Sequence, residues 1–176
     1  MTIAICVVIF FLVIVLSVYN SLVRKRNAVK QSRSSIDVYL TQRFDLIPNL
    51  IETVKGYAAH EKEIFESITK LRSEYNQTRD LNKASALNNQ IDKILLIGEN
   101  YPELKASVNF LNLQKNLARM EDQLQAARRL YNIDVTAYNT SLQTFPTNLI
   151  ANAFKFKEEK LFELEAGKDT NIKVSL

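Results

Sequence analysis

The hydrophobic positions of this chain fall into two regimes. Residues 3–18 are apolar with the single exception of Ser17, and residues 19–23 extend the run to about 20 residues, the length that crosses a bilayer as a helix. From Ser35 onward, apolar residues instead recur every three or four positions, the period of a helix with one buried face. Ile36, Leu40, Phe44, Ile47, Ile51, Val54 and Ala58 form the first such stripe. Pro48 falls inside it. A proline there removes a main-chain hydrogen bond and crowds the preceding turn. The stripe keeps phase across it, so a kink near Phe44 to Ile47 is predicted in place of a full stop. Gly56 and His60-Glu61 mark a break. Ile64, Ile68, Leu71 and Tyr75 form a second stripe, and the polar stretch 76–83 reads as a loop or a fraying helix end.

Leu87, Ile91, Ile94 and Leu95 predict a short third helix. It should stop near Gly98-Glu-Asn-Tyr-Pro102, where glycine suits a C-cap and proline disfavours helix before it. Phe110, Leu113, Leu117, Met120, Leu124, Ala127 and Tyr131 then alternate spacings of three and four, and Val135, Tyr138, Leu142 and Phe145 continue the pattern. This heptad-like run predicts a helix of about 38 residues, about 57 Å long, ending before Pro146. Residues 148–156 suit a short amphipathic helix.

Stripes of this kind are buried against one another. The expected fold is all-α: an N-terminal transmembrane helix followed by an elongated antiparallel bundle of about four helices, one very long. The expected division is 1–23 anchor, 24–34 basic juxtamembrane segment, 35–157 bundle and 158–176 flexible tail.

Charge sharpens the picture. Of 23 basic residues, five lie in the first 33 positions: Arg24, Lys25, Arg26, Lys30 and Arg33. None of the 19 acidic residues does, which leaves 18 basic against 19 acidic for the rest. The basic character therefore belongs to the flank of the apolar run, and no nucleic-acid partner is expected. Basic residues collect on the cytoplasmic side of a span. The expected location is the bacterial cell membrane, single-pass, with the N-terminus outside and the bundle in the cytoplasm. The same cluster is placed to meet anionic headgroups. The segment lacks the basic start and small-residue cleavage site of a signal peptide. Cys6 precedes most of the apolar run, where a lipoprotein signal would carry its cysteine after it.

Three glycines, 56, 98 and 167, are too dispersed for a phosphate-cradling loop. One cysteine and one histidine exclude a disulfide within the chain and a four-cysteine zinc site. His60-Glu61-Lys-Glu63 lacks the second histidine of H-E-x-x-H, since Ile64 stands there. No catalytic, cofactor-binding or metal residue is assigned, and no cofactor and no enzyme activity are expected.

Several strings resemble one family. Arg43-Phe-Asp-Leu-Ile-Pro-Asn-Leu-Ile-Glu-Thr-Val-Lys-Gly-Tyr57, followed by His60-Glu61, resembles the signature of the LemA family. Tyr19-Asn-x-Leu-Val-x-x-Arg-Asn27, Ile36-Asp-Val38, Tyr101-Pro-Glu-Leu-Lys-Ala106, Asn109-Phe110, Arg128-x-x-Tyr-Asn132, Tyr138-Asn139 and Phe145-Pro-x-Asn148 fall in the same order as in that family. The resemblance covers residues 19–165. Two departures stand out. Ser34-Ser35 occupy a place where relatives usually carry tryptophan, and lysine stands near Phe154-Lys155-Phe156 where relatives tend to have glycine. The resemblance implies a bacterial, membrane-anchored helical bundle without a defined biochemical activity, with relatives at magnetosome membranes and family genes near membrane metalloproteases.

The motif residues suggest an inter-helix polar network: Asp37, Arg43, Asp45, Asn49, Glu52, His60 and Glu61 from the first half, and Arg128, Tyr131, Asn132, Tyr138 and Asn139 from the long helix. Tyr131-Asn132 and Tyr138-Asn139 are seven apart and share a face. Buried hydroxyls and amides need partners, and Arg128 is expected to pair with Asp45 or Asp37. The expected function is that of a membrane-anchored interaction protein, a self-associating scaffold whose long stripes leave apolar surface for a homo-oligomer. The alternative is an adaptor or regulator of a membrane-protein partner such as a protease.

Overall fold

The computed structural model describes residues 1–58 and 61–162. Its regular elements are α1 (Thr2–Asp45), α2 (Ile47–Lys55), α3 (Lys62–Thr78), α4 (Leu81–Glu99), α5 (Pro102–Lys105), α6 (Val108–Gln143) and α7 (Thr147–Ala153). No strand occurs among the described residues. The all-α expectation holds: one long N-terminal helix with an apolar start is followed by helices that pack together.

The two hydrophobic regimes of the sequence meet inside α1. None of residues 1–21 is buried. The segment is long and apolar enough to cross a membrane. A helix satisfies every main-chain hydrogen bond internally, so it is the form such a segment takes in lipid. From Leu22 the pattern changes: Leu22, Val29, Ile36, Leu40 and Phe44 are buried, spaced seven, seven, four and four. The expected kink sits at Leu46, a single residue that keeps right-handed helical angles between α1 and α2. Pro48 is in the first turn of α2, where its missing N–H costs nothing.

By their internal contacts the residues form two units, Met1–Arg33 with Ala127 onward, and Ser34–Ala126. The second unit holds the end of α1, α2 to α5 and the first half of α6. Its core includes Phe44, Leu50, Val54, Ile68, Tyr75, Leu87, Ile91, Ile94, Phe110 and Leu117. Each such apolar side chain contributes about 1.5–3 kcal/mol by leaving water. The ring of Phe44 meets that of Tyr75 edge-on at 4.9 Å.

Of the stretch expected as a loop or a fraying helix end, most is the end of one helix and the start of the next. Helix α3 continues through Thr78, and only Arg79 and Asp80 separate it from α4. Arg79 adopts the left-handed conformation, and its N–H reaches Tyr75 O at 2.7 Å. Asp80 caps α4 by accepting from Asn82 N at 2.8 Å. Polar composition here marks exposed helix ends, which composition alone does not separate from a loop. The ion pair Lys83–Glu74 closes the hairpin; hydrogen bonding from Lys83 holds the Glu74 carboxyl below its usual pKa.

Gly98 was expected as a C-cap. It is instead a buried helical residue, and Asn100 caps α4. Its reason is close packing: a Cβ there would lie 2.3 Å from Phe110 Cζ. Alanine would gain helix propensity of about 1 kcal/mol over glycine. Crowding a fully buried ring costs about 1–3 kcal/mol, and the steric term wins. Gly98→Ala is therefore expected to lower unfolding stability in chemical denaturation, while in a Phe110→Leu background the same change becomes neutral or stabilising. A stabilising Gly98→Ala in the native sequence would contradict the packing account.

Candidate functional site

Two clusters of polar residues stand out, one in each unit. The first centres on Arg43, whose position beside Phe44 turns a guanidinium into the core of its unit, 4% exposed. A buried cation requires anions. Asp92 of α4 pairs with it at 3.4 Å, and Glu121 of α6 forms the second ion pair. Nearby, Arg72 of α3 donates through Nε to Phe44 O at 3.0 Å and pairs with Asp45 at 3.1 Å. Phe44 O is one of the acceptors left over where α1 gives way at Leu46, and Arg72 satisfies it. Arg79 donates to Thr41 Oγ1 at 2.8 Å and covers the Tyr75 ring at 5.3 Å. Burial pushes the Tyr75 phenol above its ordinary pKa, against the opposing pull of Arg79.

Other predicted residues of this unit lie at its surface. Asp37 is half-buried, and Asn49 and Glu52 are exposed. Glu61 is the N-cap residue of α3 without a side-chain cap bond. His60 lies outside the described residues. A cavity of 370 Å³ between α2 and α3 is lined by Ile47, Pro48, Ile51, Glu52, Lys55, Thr69 and Arg72. Its ionic groups include Arg72, already engaged by Asp45, and it contains no cysteine, serine or histidine nucleophile or base.

The second cluster is a clamp. After α7 the chain turns back along α6 as an extended segment. Asn139 donates to Glu159 O at 2.8 Å and accepts from Glu159 N at 3.0 Å. Asn132 repeats the pair with Phe162, at 3.1 and 2.8 Å. Tyr131 donates to Lys160 O at 2.9 Å, and Gln143 to Glu158 Oε1 at 2.7 Å. A carboxamide carries one acceptor and two donors, so it can satisfy the N–H and C=O of one residue at once. The register follows from two periods. Seven helical residues advance about 10.5 Å, and three extended residues advance about 10 Å. Asn132 and Asn139 therefore meet residues three apart in the extended chain.

Aromatic and cationic groups line the same segment. Arg128 lies over the Phe162 ring at 4.9 Å, and Arg26 over Phe156 at 5.3 Å. The Tyr19 ring meets that of Phe154 at a tilt, with centroids 4.8 Å apart, and that of Phe156 edge-on at 5.8 Å. Burial raises the pKa of Tyr138, with Arg26 pulling the other way and Glu159 adding to the rise. Of the basic flank, Arg24, Lys30 and Arg33 are exposed, while Lys25 hydrogen-bonds Ser141.

The sequence reading missed Asp92, Glu121, Arg72 and Arg79, and it missed the tail as the partner of the Tyr-Asn pairs. One signal for the first group was available: Arg43 interrupts the buried phase of its stripe, and a charge there demands carboxylates. Among the described residues, no group of three His, Cys, Asp or Glu side chains is placed to hold a metal ion.

The LemA family model matches residues 32–176. The chain is similar to Protein LemA of Metamycoplasma hominis, with 30% identity over 82% of this chain and 68% of that protein. It is also similar to Magnetosome protein MamQ 2 of Paramagnetospirillum magneticum, with 23% identity over 98% of this chain and 74% of the relative. Magnetosome protein MamQ of Magnetospirillum gryphiswaldense shares 21% identity over 92% and 71%.

Each cluster yields an expected outcome. Removing one partner of a buried pair leaves an uncompensated charge, at a cost of about 3–5 kcal/mol. Glu121→Ala, which strands the buried Arg43 guanidinium, should approach that loss in urea denaturation. Asp92, with its side chain 62% exposed, should cost no more than about 1 kcal/mol on truncation to alanine. Equally small losses from both variants would remove Arg43 from its central place. In the clamp, Asn132→Ala or Asn139→Ala each deletes hydrogen bonds worth about 0.5–1.5 kcal/mol apiece. Amide exchange at Phe162 or Glu159 should then accelerate roughly tenfold for each 1.4 kcal/mol lost, with trypsin cutting faster after Lys157 and Lys160. Unchanged exchange would show that the segment is held by something else.

Proposed function

We propose that this chain, which belongs to the LemA family, is a membrane-anchored interaction protein: α1 spans the bilayer with its N-terminus outside, and the helical remainder lies in the cytoplasm as a self-associating scaffold. The observation that carries the reading is the start of α1. Ile3, Val7, Val8, Phe10 and Phe11 are all more than half exposed, an apolar surface that water penalises and lipid accepts. The five basic residues that follow it, with no acidic residue among the first 33, support this orientation. The magnetosome names of two relatives favour work at a membrane.

Self-association is supported by apolar side chains left on α6: Leu130 and Ile133 are half exposed or more, three residues apart on one face, with Ala137 one turn beyond. Helices that present such a stripe commonly meet a second helix. The polar residues favour interaction over catalysis, because they are engaged in holding helices and tail in place.

Two measurements test the reading. With Cys6 replaced by serine, a single cysteine at exposed Lys93 should resist a membrane-impermeant maleimide in intact cells and react after lysis; labelling in intact cells would reverse the orientation. In detergent, light scattering after size exclusion should give a multiple of the 20.2 kDa chain mass. A monomer at micromolar concentration would remove the scaffold and leave the adaptor reading.

A further inference from the structure

The end of α1's apolar run touches a segment that carries a second exposed apolar group. Tyr19 ends the run, and its ring meets that of Phe154 at 4.8 Å. Lys25, a little beyond, meets Ser141 near the end of α6. These two contacts place the turn after α6, and α7 with it, beside the part of α1 where a bilayer would end. At that level Phe145 is 79% exposed, Leu149 61% and Phe154 55%. Three large apolar side chains left in water within ten residues are costly unless something covers them.

The charges along the segment that carries them are basic as far as Lys157, where Glu158 and Glu159 begin. No acidic residue occurs between Asp134 and Glu158, and Lys155 and Lys157 fall in that interval. Both are exposed, as is Arg24 on α1. Exposed apolar residues with lysines beside them match the composition of segments that lie in the headgroup layer of an anionic membrane, and the carboxylate of Glu158 is tied to Gln143 at 2.7 Å.

We propose that the turn after α6 and helix α7 form a second membrane contact. Phe145, Leu149 and Phe154 insert into the boundary between headgroups and acyl chains beside α1, and Lys155 and Lys157 meet anionic headgroups. The proposal rests on the reading that α1 spans the bilayer. Its occupant is the bilayer surface because the patch is continuous, through Tyr19 and Phe154, with the apolar surface of α1. The contact adds a second point of attachment for the unit that holds the start of α1, so rotation of that unit about the α1 axis is restrained at the membrane.

The chain has no tryptophan, so single tryptophans report on one position each. The test uses the full chain in nanodiscs of phosphatidylcholine with phosphatidylglycerol, carrying acyl chains brominated near the headgroups. Phe145→Trp and Leu149→Trp should be blue-shifted and lose at least about half their emission to the bromines, as expected for side chains buried about 5–10 Å into the interface. Phe11→Trp serves as the control within the span, and Leu96→Trp on α4 as the control outside it. Circular dichroism confirms that each variant is helical. If Phe11→Trp is quenched while both probes match Leu96→Trp, the second contact is absent and the anchor stands. If Phe11→Trp is not quenched, the anchor itself fails. Blue-shifted probes that ignore bromine and respond to dilution would assign the patch to a second copy, overturning the proposal. Quenching that stays the same in pure phosphatidylcholine, or in a Lys155→Gln, Lys157→Gln variant, would overturn the role given to the two lysines.

Discussion

A guanidinium inside a hydrophobic stripe is the constraint on which the second unit depends. Arg43 sits next to Phe44 and is nearly as buried. Its carboxylate partners come from α4 and α6. Apolar stripes alone are permissive, because leucine against isoleucine tolerates sliding and repacking. A buried charge is not. Sliding α6 by one residue would carry Glu121 about 100° around its helix and leave Arg43 short of a partner. The hydrophobic residues supply the driving force, and this ion cluster selects one alignment of α1, α4 and α6.

The other unit solves the same problem with neutral groups. Asn132 and Asn139 hold the main chain of Glu159 and Phe162 in bidentate fashion. The interaction ignores the side chains of the segment it holds, so sequence identity must come from elsewhere. It comes from Phe156 under Arg26 and Phe162 under Arg128. The turn into the segment is set by a helix C-terminal motif: Phe156 N reaches Ala151 O at 2.9 Å and Lys155 N reaches Asn152 O at 3.1 Å. Lys155 takes the left-handed conformation there, with φ of 56°. The family resemblance leads one to expect a glycine near this place. A lysine pays about 1 kcal/mol or more in that conformation, and the tail contacts offset it.

The stripes were legible because burial imposes their period. The positions read as the first stripe include Ile36, Leu40, Phe44, Ile47, Val54 and Ala58, all buried, and the helix is interrupted at Leu46, two residues before Pro48. Pairing was harder to read. Arg128 was expected against Asp45 or Asp37. It lies over Phe162, while Asp45 accepts Arg72. Charged residues along a helix share many candidate partners, and choosing among them needs the angle between helices, which spacing does not carry. The tail was illegible for a related reason. Residues 158–162 have no period of their own, since the order they show is borrowed from two asparagines on another element. The rest of the segment read as a flexible tail, 163–176, lies outside the described residues. Gly98 was misread because a glycine at a helix end suits two purposes, cap and close approach, and only Phe110 distinguishes them.

The direction of the perturbed ionisations bears on what kind of protein this is. A general acid or base works best when its pKa is brought toward the working pH. Among the described residues, the resolved shifts go the other way. Tyr75 and Tyr138 are pushed above their usual value by burial, and Glu74 is pulled below its own by Lys83. Each movement takes the group further from neutrality and fixes its charge state more firmly. That is the pattern of groups recruited to hold structure, with phenols kept neutral inside a core and a carboxylate kept ionised beside an ammonium. A site poised for proton transfer would show the opposite strain, a carboxylate raised or a cation lowered at a cleft. The polar groups of the two clusters described above act on helix register and tail placement.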